Sequence, residues 1–480
     1  MAETPHKATA SSPTRKQIRH LIDEAELSYR KVWSTLVSMK TGVGLDGNAI
    51  LAFQPTLASA LFRLDDGYRK LIQAQRSDIR RKASIPEQRF RQRMRAIAED
   101  LKALRSTMKI GRDIGDAFAW AFLREDQELI ENHFSHPPNP HTPPGIGGRG
   151  ELEFVRQFRP AGFLMLYHGA TSFLRIGDVS FVDLKSGRVT AIGELKSKPD
   201  GPGKLKATLV ILSSDREKLP FGIVVPEPKP NEKKDGSLID PFFDETLKRQ
   251  SKEIATALRQ RETKNKTDLR DAYHIDELAQ FAIQLSTKRL AFQQIGRGVV
   301  LAGCCPYRGR TLSSRLYSAT KEASVLKRMA KIKENVAVIL DPSLSDNGII
   351  FSELDNSIRV GQPPLFWFPC DIGFLERIYF MRAITATVLN PAHLLKRLRD
   401  HGYEVHTDQQ GRNPPVFTVS KRSANTLAGI EQFDFFLSLM QQRFMREEKI
   451  MEIFESCLSQ MQKMSSTQSI RMQMGFAHFL

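Results

Sequence analysis

Three residues in one short stretch carry the chemistry this sequence offers: Asp178, Glu194 and Lys196. They sit in Arg175-Ile-Gly-Asp-Val-Ser-Phe-Val-Asp183 and in Thr190-Ala-Ile-Gly-Glu-Leu-Lys-Ser-Lys198, with Lys185-Ser186-Gly187 between. Both flanks read as strands, Leu174 to Leu184 and Val189 to Lys196. A three-residue loop ending on a left-handed glycine is a common hairpin connection. With that loop Leu184 faces Arg188, and counting outward brings Asp178 opposite Glu194. Directly opposed residues lie about 4.5–5.5 Å apart and share a face. Lys196, two residues on, points to the same face. A two-residue loop would shift the register by one and separate the three, so the expectation depends on Gly187 closing a three-residue turn.

Two carboxylates near strand ends supply hard oxygen ligands of the kind Mg²⁺ favours. A divalent cation there acidifies a water for attack on phosphorus and offsets charge on the phosphodiester. A lysine beside it would orient the water or stabilise developing oxyanion charge. The set is complete for phosphodiester hydrolysis.

These residues resemble the PD-(D/E)XK nuclease superfamily, the restriction-endonuclease-like proteins. Gly177-Asp178 stands where that family has its first acidic motif, and Glu194-Leu195-Lys196 stands as (D/E)xK. Gly150-Glu151-Leu-Glu-Phe-Val resembles the family's preceding helix, with Glu151 the acidic candidate and Glu153 in reserve. The resemblance implies an αβββαβ core within a mixed α/β (α+β) chain, flanked by helical N- and C-terminal regions. It implies Mg²⁺ (or Mn²⁺) as cofactor, held by Asp178, Glu194 and the Leu195 carbonyl, with Lys196 assisting the nucleophile. Gln280 or Gln284, ahead of Val299 to Gly303, would correspond to the family's second-helix polar position. A stretch of roughly 197 to 270 would then be an insertion. The prolyl residue of the name is missing before Asp178.

The elements around this stretch follow from periodicity. Ile18, Leu21, Ile22, Ala25, Tyr29, Val32 and Leu36 form one helical stripe. A further helix has Ser84 as cap, Pro86 in its first turn, and Phe90, Met94, Ile97, Leu101 and Leu104 on one face. Its other face carries Arg89, Arg91, Arg93 and Arg95, read as a solvated side. Residues 133–150, rich in Pro and Gly, read as a linker that also holds His133, His136 and His141. The formal GxGxxG at Gly145 to Gly150 follows prolines rather than a strand, so it does not indicate a dinucleotide site. Phe163 to Tyr167 and Lys206 to Leu212 read as strands, and Pro226 to Gly236 as a loop. A helix carries Ile275, Leu278, Ala282 and Leu285, and Val336 to Leu340 is strand-like. Pro391 to His401 reads as a helix followed by a hairpin of Tyr403 to Val405 with Val416 to Val419. Lys396, Arg397 and Arg399 on it would serve a winged-helix reader, although a helix packed on a small sheet is the simpler reading. Phe433, Leu437, Met440 and Phe444 stripe a last helical region.

The division expected is 1–132 helical, 133–150 linker, 151–310 nuclease-like core with an insertion, 311–422 mixed, and 423–480 helical. The chain has 480 residues, too many for a single core. Hydrophobic residues make up 41% and charged residues 26%, which excludes a wholly disordered chain. Lys and Arg number 71 against 54 Asp and Glu, so the net charge of +17 suits a polyanionic partner. Four cysteines without CxxC spacing indicate neither a zinc ribbon nor a disulfide framework. No secretory leader or membrane span is read, which predicts a cytoplasmic protein without a membrane partner. Neither a P-loop nor a GxSxG elbow is present. The expected function is a Mg²⁺-dependent endonuclease, a hydrolase of phosphodiester bonds with DNA favoured over RNA. Large flanking regions favour an anti-phage defence setting among restriction, repair and defence. The alternatives are a non-catalytic nucleic-acid-binding or oligomeric scaffold module, and a nuclease silent until a partner, bound through the helical flanks, gates it.

Overall fold

The computed structural model describes residues 13–124, 126–137, 145–158, 160, 162–199, 205–214, 272–288, 290–305, 311–319, 350–354, 356, 363–408, 416–423, 426–430 and 433–462. The expected loop at 226–236 and the strand at 336–340 lie outside these residues. The chain divides into two compact units. The first comprises Met1–Arg259 with Arg310–Lys321, and the second Gln260–Gly309 with Glu322–Leu480.

In the first unit the two apolar stripes fall in long helices α1 (Arg15–Thr41) and α3 (Glu87–Leu123), with a third helix, α2 (Gly47–Arg80), between them. Thr14 caps α1 through a reciprocal capping box with Gln17. Gly42, in the left-handed conformation, ends it. Ile18, Ile22, Ala25, Tyr29, Val32 and Leu36 are buried as the stripe requires. Helix α3 departs from expectation at its start. Pro86 is the residue before the helix, and Ser84 lies in a 3-10 turn whose hydroxyl donates to the Arg81 carbonyl at 2.8 Å. Pro86 itself takes the cap position with ψ 136°, which leaves Ser84 two residues outside it and unable to cap the first turn.

Both ends of the expected linker lie in helices. Helix α4 (Gln127–Phe134) ends with a wholly buried His133, and α5 (Gly145–Gln157) starts six residues before Glu151. The formal GxGxxG is thus the first two turns of α5.

A four-stranded antiparallel meander follows, in the order β1-β2-β3-β4: β1 (Phe163–Tyr167), β2 (Val179–Asp183), β3 (Val189–Pro199) and β4 (Leu205–Ser214). Residues 174–178, expected as strand, are irregular, and β2 begins at Val179. The turn between β2 and β3 has four residues, Leu184 to Gly187, because the Asp183 N–H donates to the Arg188 carbonyl at 2.9 Å. A bulge between Phe181 and Val182 then shifts the pairing by one residue. Beyond it Phe181 pairs with Ala191 and Val179 with Gly193, the register that the three-residue loop had predicted. Turn and bulge compensate, so the right register arises by a different route.

The helical layer grips this sheet at specific points. The Tyr167 N–H on edge strand β1 donates to Gln54 Oε1 of α2 at 2.5 Å. Asp116 of α3 accepts from the backbone N–H of Ser172 at 2.7 Å and from its hydroxyl at 2.5 Å. Gly115 lets α3 approach the 3-10 turn His168–Ala170, because a Cβ there would stand 1.9 Å from the Ala170 carbonyl oxygen. Residues 311–321, expected in a mixed region, also belong to this unit. Their helix (Leu312–Ala319, called α7) is tied to α1 by the buried Arg315–Glu26 pair at 2.8 Å.

The second unit holds α6 (Ile275–Thr287) and an antiparallel sheet in the order β5-β6-β8-β7. Its strands are β5 (Leu290–Gln294), β6 (Val299–Cys304), β7 (Ile350–Glu353) and β8 (Ile384–Leu389). Helix α8 (Ile372–Tyr379) precedes β8. Helix α9 (Ala392–Asp400) leads into a three-stranded sheet of β9 (Glu404–Asp408), β10 (Val416–Ser423) and β11 (Thr426–Ile430). The expected hairpin is there, with Val405 facing Val419, while β11 adds a strand where the helical tail was expected to begin. Lys396 pairs with Asp400 at 2.8 Å and Arg397 with Glu448 at 2.8 Å. Helices α10 (Asp434–Arg443) and α11 (Glu447–Gln462) follow, with Phe433, Leu437, Met440 and Phe444 buried.

The mixed α/β character is present. The αβββαβ core is not completed as expected, since α6 and β6 belong to the second unit and its own sheet. The strand beside β3 is β4, reached directly by a hairpin connection. The unit boundary falls inside the span 151–310.

Because the Ala170 carbonyl is backbone and cannot rotate away, Gly115→Ala is expected to cost about 1–3 kcal/mol by overpacking. Urea denaturation of the full chain checks this. An unchanged midpoint would mean that α3 does not press on the 168–170 turn.

Candidate active site

Asp178 stands one residue before β2, where the ladder with β3 gives way to side-chain bonding. Its own N–H donates to the Gly193 carbonyl at 2.8 Å. Continuing the register from Val179 opposite Gly193 would bring residue 177 opposite Leu195. Gly177 instead has φ +69° and turns the chain, a conformation that costs glycine little. Asp178 takes over the acceptor role: its Oδ2 receives the Leu195 N–H at 2.7 Å. The same count sets Asp178 level with Glu194. An extended residue directs its N–H and C=O to one strand edge, so the Leu195 carbonyl also faces the Asp178 side.

Lys196 Nζ donates to Glu194 Oε1. The lysine side chain is 62% exposed and that of Glu194 37%, so this end of the sheet opens to solvent. The hydrogen bond to Glu194 holds the Lys196 ammonium above its ordinary pKa, with Asp178 adding to the effect. Asp178 is pushed upward, chiefly by burial. Glu194 pushes the same way, while the Leu195 N–H and Lys196 oppose it.

Glu151 comes to this group from α5. It is 5% exposed, and the Tyr167 hydroxyl donates to its Oε2 at 2.7 Å. Burial raises its pKa to about 7, with the Asp178 charge adding to the rise and the Tyr167 hydrogen bond opposing it. Asp178 is therefore coupled electrostatically to Glu194 and Lys196, and its charge also reaches Glu151. Glu153 lies elsewhere on α5, exposed, with Gln157 and Arg156 as neighbours. Gln280 and Gln284 are on α6 of the second unit, where Gln284 donates to Gln293 at 3.0 Å.

Histidines frame the turn that delivers Asp178. The His168 N–H donates to the Asp178 carbonyl at 2.9 Å. Its ring bonds the Gly177 carbonyl through Nδ1 at 3.1 Å and the Ser180 hydroxyl through Nε2 at 2.7 Å. His133 Nδ1 accepts the N–H groups of Arg175 at 2.9 Å and Ile176 at 3.1 Å. Burial lowers the pKa of His168 to about 3 and of His133 to about 4, so both rings are neutral at physiological pH. Tyr167, His168 and His133 were absent from the expected site. The one sequence signal for them was a Tyr-His pair closing an apolar strand.

Among the described residues no three His, Cys, Asp or Glu side chains group closely enough to hold a metal ion alone. His133, half of whose ring chemistry is spent on backbone N–H groups, is not assembled with His136 into such a cluster, and His141 lies outside the described residues. The donor set at Asp178 comprises two carboxylates and a backbone carbonyl. Asp178 Oδ1 and Glu194 Oε2 accept no hydrogen bond among the described residues. These are hard oxygen donors, and they fit Mg²⁺ or Mn²⁺, which complete their shells with water. No family model, no curated protein and no solved structure matches this chain.

Glu151 gives a pH signature. The folded state holds its proton up to about pH 7, whereas an unfolded glutamate releases it near 4.5. Its stability contribution is complete below the lower value and is lost as pH rises through the upper one. Glu151→Gln, always neutral, should therefore gain on the wild type by roughly 2–3 kcal/mol between about pH 5 and about pH 8. Paired denaturation curves at the two pH values measure the gain. A pH-independent difference would mean that Glu151 ionises as an ordinary carboxyl.

Proposed function

We propose that this chain is a divalent-metal-dependent endonuclease that hydrolyses phosphodiester bonds of DNA, with Asp178, Glu194, Lys196 and Glu151 as its working residues. The observation that carries the reading is Asp178 level with Glu194 at an open strand end, its carboxylate bonded to the Leu195 N–H. Asp178, Glu194 and the Leu195 carbonyl would hold Mg²⁺ or Mn²⁺, which when bound lowers the pKa of water and offsets charge on the phosphate. Lys196 retains its proton beside Glu194 and offers a solvent-facing positive charge to a non-bridging phosphate oxygen. The two carboxylates differ in freedom. Asp178 is fixed by a backbone N–H, whereas Glu194 can exchange its lysine for a ligand. Glu151 enters as a neutral, proton-bearing group below about pH 7. The net charge of +17 supports a nucleic-acid substrate. No described helix is long and apolar enough to cross a membrane. An anti-phage defence setting and a cytoplasmic location are part of the same proposal, resting on the large flanking regions and the reduced-thiol composition.

Purified full-length protein should nick plasmid and cut linear DNA with Mg²⁺ or Mn²⁺ and not with EDTA. Glu194→Ala and Lys196→Ala should each lose roughly a hundredfold or more, the scale of removing a group that stabilises transition-state charge. DNA bound but uncut by the wild type in both metals would sink the catalytic reading and favour a binding module or a partner-gated enzyme.

A further inference from the structure

The corner between α2 and α3 carries a charge imbalance that the fold does not use. From Arg76 to Arg95 there are eight cations, Arg76, Arg80, Arg81, Lys82, Arg89, Arg91, Arg93 and Arg95, against Asp78 and Glu87. All eight are exposed. Three have an acidic neighbour: Arg93 with Asp78 at 2.5 Å, Arg91 with Glu87 at 2.5 Å, and Arg95 with Glu99 at 3.6 Å. The Arg93 pair crosses from α3 to the end of α2, so the two basic segments are held at one corner. Lys82 lies over the Phe90 ring at 5.7 Å. Arg76, Arg80, Arg81 and Arg89 make no side-chain ion pair or hydrogen bond among the described residues. Like charges this dense repel one another, and among the described residues only Asp78, Glu87 and Glu99 pair with them.

We infer that this corner is a second nucleic-acid contact, separate from the Asp178 residues but in the same unit, which takes the phosphate backbone without reading bases. Arginine matches phosphate with a planar, forked donor set. Five of the eight cations, Arg76, Arg80, Arg81, Lys82 and Arg89, are uncommitted to carboxylates, which gives a row of phosphate contacts rather than one anion pocket. A lipid surface fits less well, because Ile79 is the only large hydrophobic side chain exposed in this segment and an inserting apolar face is missing. The inference extends the nuclease reading by adding a point that holds substrate. It does not need the metal.

The test uses full-length protein with Glu194 and Lys196 intact, in EDTA, so that nothing is cut. Fluorescence anisotropy measures binding of a labelled 30-base-pair DNA duplex across a salt series. Replacing Arg80, Arg81, Lys82 and Arg89 by Gln together should flatten the slope of log affinity against log salt by about 3–4, near 0.9 for each duplex phosphate that the variant no longer neutralises. Affinity at 100 mM salt should fall more than tenfold, about equally for unrelated sequences. A companion in which Arg80, Arg81 and Arg89 become Lys should keep the slope, and thermal melting of both variants reports folding. An unchanged slope in a folded Gln variant overturns the inference. So does wild-type protein that binds phosphatidylserine vesicles but not DNA. The two readings fail separately: cleavage with an unchanged slope removes only the corner, and a flattened slope without cleavage removes only the metal site.

Discussion

The first unit depends on a carboxylate buried in helix α3. Asp116 is wholly inaccessible, and burial raises its pKa to about 7. A buried carboxyl is tolerated where hydrogen bonds replace water, and Ser172 supplies two. That bond pins the irregular segment between β1 and β2 to the helical layer. The segment has no ladder of its own from 168 to 178. Its backbone groups are met one by one: by Asp116 at 172, by His133 at 175 and 176, and by His168 at 177 and 178. Asp178 therefore owes its position to side chains from α3 and α4 as much as to the hairpin it precedes.

The four acidic and basic groups of the candidate site sit in unlike surroundings. Glu151 is buried against a tyrosine hydroxyl, whereas Asp178 is half-exposed and held by a backbone N–H. Glu194 and Lys196 face solvent as a pair. Carboxyl groups whose environments push their pKa values differently can hold different protonation states at one pH. The asymmetry arises from ordinary causes: α5 lies against β3, with Gly150 close on Ser197, and buries Glu151, while the alternate residues Glu194 and Lys196 face solvent.

Much of the hairpin was legible because its contacts are local. Phe163–Tyr167 was found to the residue, and Asp178 and Glu194 came level, because side-chain alternation and pairing act over a few residues. The compensation was not legible. A four-residue turn plus a bulge gives the same outer register as a three-residue turn, so the pattern of residues could not separate them. The framing groups were equally hidden. Gln54 and Tyr167 are 113 positions apart, Asp116 and Ser172 56, and His133 and Arg175 42. A histidine in a proline-rich stretch has no local mark of becoming a buried acceptor. The division of the chain escaped for the same reason: α7 joins α1 through Arg315 and Glu26, 289 positions apart, and no run of composition announces it.

The Gln54 contact bears on how the open edge of this sheet is covered. Strand β1 is an edge, and an edge strand offers unpaired backbone groups to any passing chain. Gln54 occupies one of them from the helical side, and the residues around Tyr167 are buried beneath α2. The N-terminal helices thus cover an edge that would otherwise lie open, and they precede in sequence the strands they cover. A fragment trimmed to Gly145 onward would keep Glu151, Asp178, Glu194 and Lys196 but lose this cover together with Asp116 and His133, which hold the segment before Asp178, so it would be a poor vehicle for studying that site and a ready template for strand-to-strand aggregation.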